Sequence, residues 1–237
     1  MFRFLLLSLA LAISACDSPE VNPDTEGFSP DSQVVVTISP EVPDSLPVVV
    51  FLGTSLTAGL GLVQRENTYV ARVTTLADSA DMPIRAINAG VSGETSAGGL
   101  RRIDWILREH IDVLVVELGA NDGLRGQDPL ALSQNLTEII QRTRTRYPEA
   151  RVILAGMEAP PNLGASYTDS FRSVFTSVSD EQSTLFIPFL LQGVAGVRDM
   201  NQEDRIHPNA EGHRRVAQNV WEILGPVLVE LAGSSLE

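Results

Sequence analysis

The chain has 237 residues, and its seventeen basic residues, all arginine, are outnumbered by thirty carboxylates for a formal charge of −13. Such a surface repels polyanions, which excludes nucleic-acid partners and argues against binding anionic bilayers through basic patches. Hydrophobic content of 43% and charged content of 20% are ordinary for a soluble globular protein.

The first elements read as export machinery. Arg3 gives a short basic region, Phe4 to Ala12 an apolar stretch too short for a stable span, and Ile13-Ser14-Ala15 small residues before Cys16. Ile13 to Cys16 resembles the lipobox of bacterial lipoproteins, which implies a signal peptide over 1–15 and lipidation of Cys16, hence a periplasmic or cell-surface protein anchored to a membrane. An ordinary signal peptide cut near Ala15 is the alternative. Cys16 is the only cysteine, so it has no disulfide partner within the chain. Residues 17–47 hold seven carboxylates, six prolines and no basic residue, a composition that favours an extended, solvated tether. Val34 to Ile38 is a possible edge strand within it. The domain is expected over 47–232, with a disordered tail at 233–237. About 190 residues remain for that domain, enough for one well-buried core.

From Val48 the pattern is regular. Val48 to Leu52 is an apolar run ending at Gly53, and helical spacing follows over about 67–78. Ile84 to Ala89 is a strand candidate ending at Gly90, and Leu100, Ile103, Leu107 and Ile111 recur at helical spacing. Val113 to Leu118 is the strongest strand. Asp128-Pro129 opens the next helix, with Leu132, Leu136, Ile139 and Ile140 on its apolar face and its end before Pro148. A strand at Val152 to Leu154, a helix over about 167–181, a strand at Leu185 to Ile187 and a helix from Ala210 to about Leu231 complete the order. Short apolar strands alternating with helices imply an α/β fold, a parallel sheet covered on both faces, with 2-1-3-4-5 as the best strand order. In such folds sites gather at the carboxyl ends of the strands.

Three of those ends carry chemistry-bearing residues. Ser55, in Gly53-Thr54-Ser55-Leu56, can raise its hydroxyl above the first strand, although serine also simply caps helices. In Asp204-Arg205-Ile206-His207-Pro208 a histidine, whose ordinary pKa near 6.5 suits proton transfer, can activate that hydroxyl while Asp204 fixes the tautomer. A surface Asp–His pair is the plainer account. His110 ends a helix far from the strand tips, and His213, inside the last helix, is expected to pack or cap locally. Asn121 after the third strand, the Gly90 amide after the second and the Ser55 amide are candidate oxyanion donors. Tight turns at the two glycine sites would explain the same residues without function.

Taken together, these segments resemble the SGNH, or GDSL-type, hydrolases. Gly53 to Gly59, Asn88-Ala89-Gly90 with Gly93-Glu94-Thr95, Gly119-Ala120-Asn121-Asp122, and Asp204 to Pro208 match four blocks in order over about 48–228. The likeness is greatest to the TesA-like branch of thioesterases, arylesterases and lysophospholipases. It implies a flavodoxin-like α/β/α fold with Ser55 as nucleophile, His207 as base and Asp204 as orienter, and Ser55, Gly90 and Asn121 as oxyanion donors. Its substrates would be carboxylic esters, thioesters or lysophospholipids. No cofactor or metal is required, and a monomer is expected. Thr54 stands where the family usually has aspartate, and Glu158 where the branch usually has glutamine. Glu158, Leu163 and Phe189 are expected on the substrate side, with Leu190 also a candidate for an acyl site. Two rivals stand: a carbohydrate O-deacetylase of the same fold, and a non-catalytic binding lipoprotein with a degenerate hydrolase fold.

Overall fold

A computed structural model describes residues 46–234. The expected signal peptide, Cys16, the tether to Ser45 and its Val34 to Ile38 run, and residues 235–237 lie outside the described residues.

Five parallel strands form one sheet: β1 (Val48–Gly53), β2 (Arg85–Gly90), β3 (Val113–Glu117), β4 (Arg151–Ala155) and β5 (Leu185–Ile187), in the order β2-β1-β3-β4-β5. The order agrees with the sequence reading. β1 and β3 are buried throughout because both flanks and both faces are covered, which is why they read as unbroken apolar runs. β2, at an edge, is partly exposed along its length. In register, Gly53 lies opposite both Gly90 and Glu117, so the three strands end level and their loops open onto one place.

Among the described residues seven α-helical segments cover the sheet: α1 (Ser55–Ala58), α2 (Tyr69–Ser79), α3 (Ser96–Ile106), α4 (Ala120–Leu124), α5 (Pro129–Arg146), α6 (Ala165–Glu181) and α7 (Ala210–Ser234). α2 packs on α7, while α3 packs on α5 and α5 on α6, giving the layers on either side of the sheet. Local chemistry sets their starts. The Thr68 hydroxyl accepts from the Ala71 amide at α2, the Asp128 carboxylate from the Leu130 amide beside Pro129 at α5, and Asn209 Oδ1 from the Glu211 and Gly212 amides at α7. Arg144 and Arg146 lie in the last turn of α5, where cations favour the helix dipole.

One helix end departs clearly from the sequence pattern, and two short helices are absent from it. The periodicity through Leu107 and Ile111 suggests a longer third helix, but α3 stops at Ile106, and Ile111 is buried in the approach to β3 instead. One apolar spacing served two elements, since both face the same core. The short α1 and α4 also escape a period-based reading, because four or five residues cannot show a helical repeat.

Candidate active site

The turn that carries Ser55 is built by close backbone approach. β1 ends at Gly53, and α1 begins two residues later with Ser55, which is 8% exposed. A Cβ at Gly53 would lie 2.0 Å from Thr57 Oγ1 and 2.5 Å from Glu117 Oε2, so only glycine lets the turn settle onto the carboxyl beneath it. From the β2 side, Asn88 Nδ2 donates to the Thr57 carbonyl at 2.6 Å. Arg102, ion-paired with Glu94 at 2.5 Å, donates to the carbonyls of Gly53 and Ala89 and ties the two strand ends together.

The loop between β5 and α7 brings the histidine. An isolated bridge joins Asn201 to Pro208, and the Gln202 side chain donates to the carbonyls of Leu60 and Pro208, which binds this loop to the one after α1. His207 Nε2 lies 3.0 Å from Ser55 Oγ, and His207 Nδ1 lies 2.6 Å from Asp204 Oδ2. With Nδ1–H donating to Asp204, Nε2 is left to accept the serine proton. Asp204 Oδ1 accepts the backbone amides of Ile206 and His207 at 2.9 and 3.0 Å. Its bond with the His207 ring, followed by these two amides, holds its carboxyl at about 2, so it stays an acceptor at neutral pH. Arg205, between them, takes a left-handed φ of 60°, part of the sharp turn that points Asp204 back at the ring.

Asn121, on α4 after β3, donates through Nδ2 to the Glu94 carbonyl at 2.9 Å. That bond fixes which end of the amide is nitrogen and leaves its second hydrogen unused by it. Asp122 beside it is buried and accepts the Ser96 amide and hydroxyl at 2.9 and 2.5 Å, which fastens α4 to the start of α3.

Gly90 is not placed as the sequence reading expects of an oxyanion donor. Its amide already donates to Asn88 Oδ1 at 3.0 Å. A Cβ there would meet the Ala58 amide nitrogen at 2.2 Å, so Gly90 lets β2 abut α1. Gly93, in the turn that follows, has φ +79° and space where a Cβ would stand, with Arg125 Nη2 nearest at 3.9 Å. Its amide donates to no group among the described residues. The sequence does not separate the two glycines of this block, because the positive φ that marks Gly93 is set only in the folded turn.

The other histidines lie elsewhere. His110 is exposed, 3.0 Å from Asp112 Oδ1, and edge-on to Tyr147. His213 is buried on α7, accepts the Tyr69 amide through Nδ1 at 3.1 Å and stacks on the Tyr69 ring.

Of the substrate-side residues, Glu158 is exposed and paired with Arg172 at 3.2 Å. Leu163, in the 3-10 turn Pro161–Leu163, is half-buried beside Gly126 of the loop after α4, and Tyr167 donates to Gln127 of that same loop at 2.7 Å. Phe189 is half-buried, whereas Leu190 is fully buried in the core, which corrects its reading as an acyl-site residue. No group of three or more histidine, cysteine or carboxylate side chains with metal-binding arrangement occurs among the described residues.

A serine, a histidine and a carboxylate in relay above the carboxyl ends of a parallel sheet define a serine hydrolase of the three-layer α/β/α class. The chain belongs to the GDSL-like Lipase/Acylhydrolase family, whose sequence profile matches residues 51–215. It is 42% identical to the esterase TesA of Pseudomonas aeruginosa over 178 residues, 75% of this chain and 87% of that protein. It is 31% identical to the thioesterase 1/protease 1/lysophospholipase L1 of Escherichia coli over 196 residues, 82% of this chain and 90% of that one. A crystal structure of TesA superposes with a TM-score of 0.72 at 39% identity, covering 76% of this chain and 98% of its own. The psychrotrophic esterase EstA from Pseudoalteromonas sp., inhibited by monoethylphosphonate, gives a TM-score of 0.71 at 33% identity, with 76% and 98% covered.

Proposed function

We propose that this serine esterase hydrolyses carboxylic esters or thioesters of small acyl groups, or lysophospholipids, through an acyl-enzyme on Ser55. The observation that carries the reading is the unbroken relay from Asp204 through His207 to Ser55. His207 Nε2 takes the hydroxyl proton as Ser55 Oγ bonds to the acyl carbon, and the carbonyl oxygen gains the negative charge. His207 then gives that proton to the departing alkoxide or thiolate. A water, deprotonated by the same nitrogen, releases the acid and restores the serine. Asp204, ionised throughout, keeps the ring tautomer and stabilises the imidazolium.

The oxyanion falls to the Ser55 amide, which opens a helix and so lacks an intrahelical acceptor, and to the second hydrogen of Asn121 Nδ2. The third donor in this reading is Gly93, because the Gly90 amide is engaged. Leu163 and Phe189 supply apolar surface for an acyl chain. Glu158 disfavours anionic substrates only weakly, since Arg172 offsets its charge and both are about half-exposed. Export and a lipid anchor at Cys16 rest on the sequence of residues 3–16. Mass spectrometry of the mature N-terminus decides the anchor, an unmodified peptide removing it.

The test of activity is an acyl-chain ladder of nitrophenyl esters with Ser55→Ala as control. Hydrolysis by that variant at the wild-type rate removes Ser55 from its role. Failure of folded wild type to react with a fluorophosphonate favours the non-catalytic binding protein.

A further inference from the structure

Beneath the nucleophile turn lies a carboxyl the relay does not use. Glu117, the last residue of β3, has no exposed surface. Its Oε2 accepts the Thr54 amide at 2.7 Å, the Thr57 amide at 3.2 Å and the Thr57 hydroxyl at 2.7 Å. Its Oε1 accepts the Thr54 hydroxyl at 2.8 Å. The Thr57 hydroxyl lies 2.7 Å from the buried Tyr69 hydroxyl, and by donating to Glu117 it leaves a lone pair for the tyrosine proton. Every one of these donors comes from the residues that bracket Ser55 or from the partner of one of them.

We propose that Glu117 is a positioning residue for the nucleophile, a buried acceptor that sets the height and direction of Ser55 by gripping the amides on both sides of it.

Backbone amides can only donate, so Thr54 N–H and Thr57 N–H require an acceptor at the Oε2 place in every protonation state. Burial pushes the Glu117 carboxyl upward, and these donors pull the other way. A proton on Oε1 finds an acceptor in the Thr54 hydroxyl, so taking one up there reverses a single bond and leaves the grip of Oε2 intact. The glycine at 53 has its reason here as well, since any side chain would occupy the space between Glu117 and Thr57. Thr54 completes the arrangement. An aspartate there would set a second carboxyl against Oε1, whereas threonine supplies a neutral group able to donate or accept.

The inference rests on Ser55 being the nucleophile, and the two fail differently. Glu117→Gln keeps an oxygen at the Oε2 place and offers its amide nitrogen to Thr54 Oγ1, so kcat for a nitrophenyl ester is expected within about threefold of wild type. Glu117→Met fills the same volume with no acceptor, and kcat is expected to fall about 10²-fold at unchanged KM, the usual effect of a displaced reacting group. The rate of fluorophosphonate labelling at Ser55 should fall in parallel. A folded Glu117→Met with wild-type kcat overturns the proposal, as does Glu117→Gln falling as far as the methionine variant. Should Glu117→Met not fold, Thr57→Val decides, because it removes one hydroxyl from the grip and keeps the amide. A loss of about tenfold in kcat alone is expected, about 1.4 kcal/mol of barrier, and an unchanged kcat is fatal to the idea. Labelling that persists in Ser55→Ala condemns the nucleophile assignment instead.

Discussion

His207 Nε2 and Ser55 Oγ stand 3.0 Å apart although 152 positions separate them in the chain. Removing the histidine leaves the serine hydroxyl at its ordinary, weak nucleophilicity, and removing the serine leaves no nucleophile at all. Ser55→Ala and His207→Ala are each expected to lower kcat by at least about 10³-fold, and Asp204→Asn by about 10²-fold or more through loss of the correct tautomer. Steady-state hydrolysis of nitrophenyl acetate by variants with wild-type circular dichroism checks this. Equal activity in Asp204→Asn counts against the relay.

Asn121 and the two glycines separate oxyanion support from packing. Asn121→Ala should lower kcat about 10²-fold with little change in KM, since the donor matters most when the carbonyl oxygen is charged. Gly90→Ala is expected to unfold at lower urea, because its methyl meets the Ala58 backbone at 2.2 Å. Gly93→Ala has space, and its expected stability cost is only the left-handed backbone, about 1 kcal/mol. Urea melts of the two variants side by side test the distinction. A milder loss at Gly90 than at Gly93 contradicts it.

Thr54→Asp should remain active, with kcat within about tenfold of wild type, because residue 54 carries no proton in the relay. Its stability should depend more steeply on pH. Two carboxyls in contact cannot both ionise cheaply, so the folded pair retains a proton that the unfolded chain releases. The folded state then binds more protons, and stability falls as pH rises above the unfolded carboxyl range. Wild type has the same sign through Glu117 alone, whose carboxyl is raised by burial. Urea midpoints at pH 5 and pH 8 are the measurement, and no added loss in the variant at pH 8 defeats the argument.

His213 gives the opposite slope. Burial, then the charge of Arg72, hold its folded pKa down to about 4 from an ordinary 6.5. The unfolded chain therefore binds the extra proton between these values, and stability is lost as pH falls from about 6.5 toward 4. The upper bound is roughly 3 kcal/mol for such a shift. A His213→Asn variant should flatten that part of the curve, because asparagine does not titrate. Asp204 works at lower pH, its stabilising contribution disappearing only as pH falls from about 4 through 2.

By itself the sequence determined the parts of this protein governed by local and periodic chemistry. Unbroken apolar runs marked β1 and β3, because a strand buried on both faces has no polar side to show. Asp128-Pro129 announced α5 through capping, and Ser55, Asn121, Asp204 and His207 stood out because each follows a strand or turn in a block of polar residues. Tertiary structure alone decided the uses that depend on approach between distant segments. Gly90 and Gly93 look alike in sequence, yet the side-chain oxygen of Asn88 and the backbone of Ala58 claim the first and leave the second amide open. Glu117 reads as the end of an apolar strand. Only the register that sets it opposite Gly53 turns it into an acceptor beneath Ser55, since four donors become partners of one buried carboxyl when the strand ends lie level.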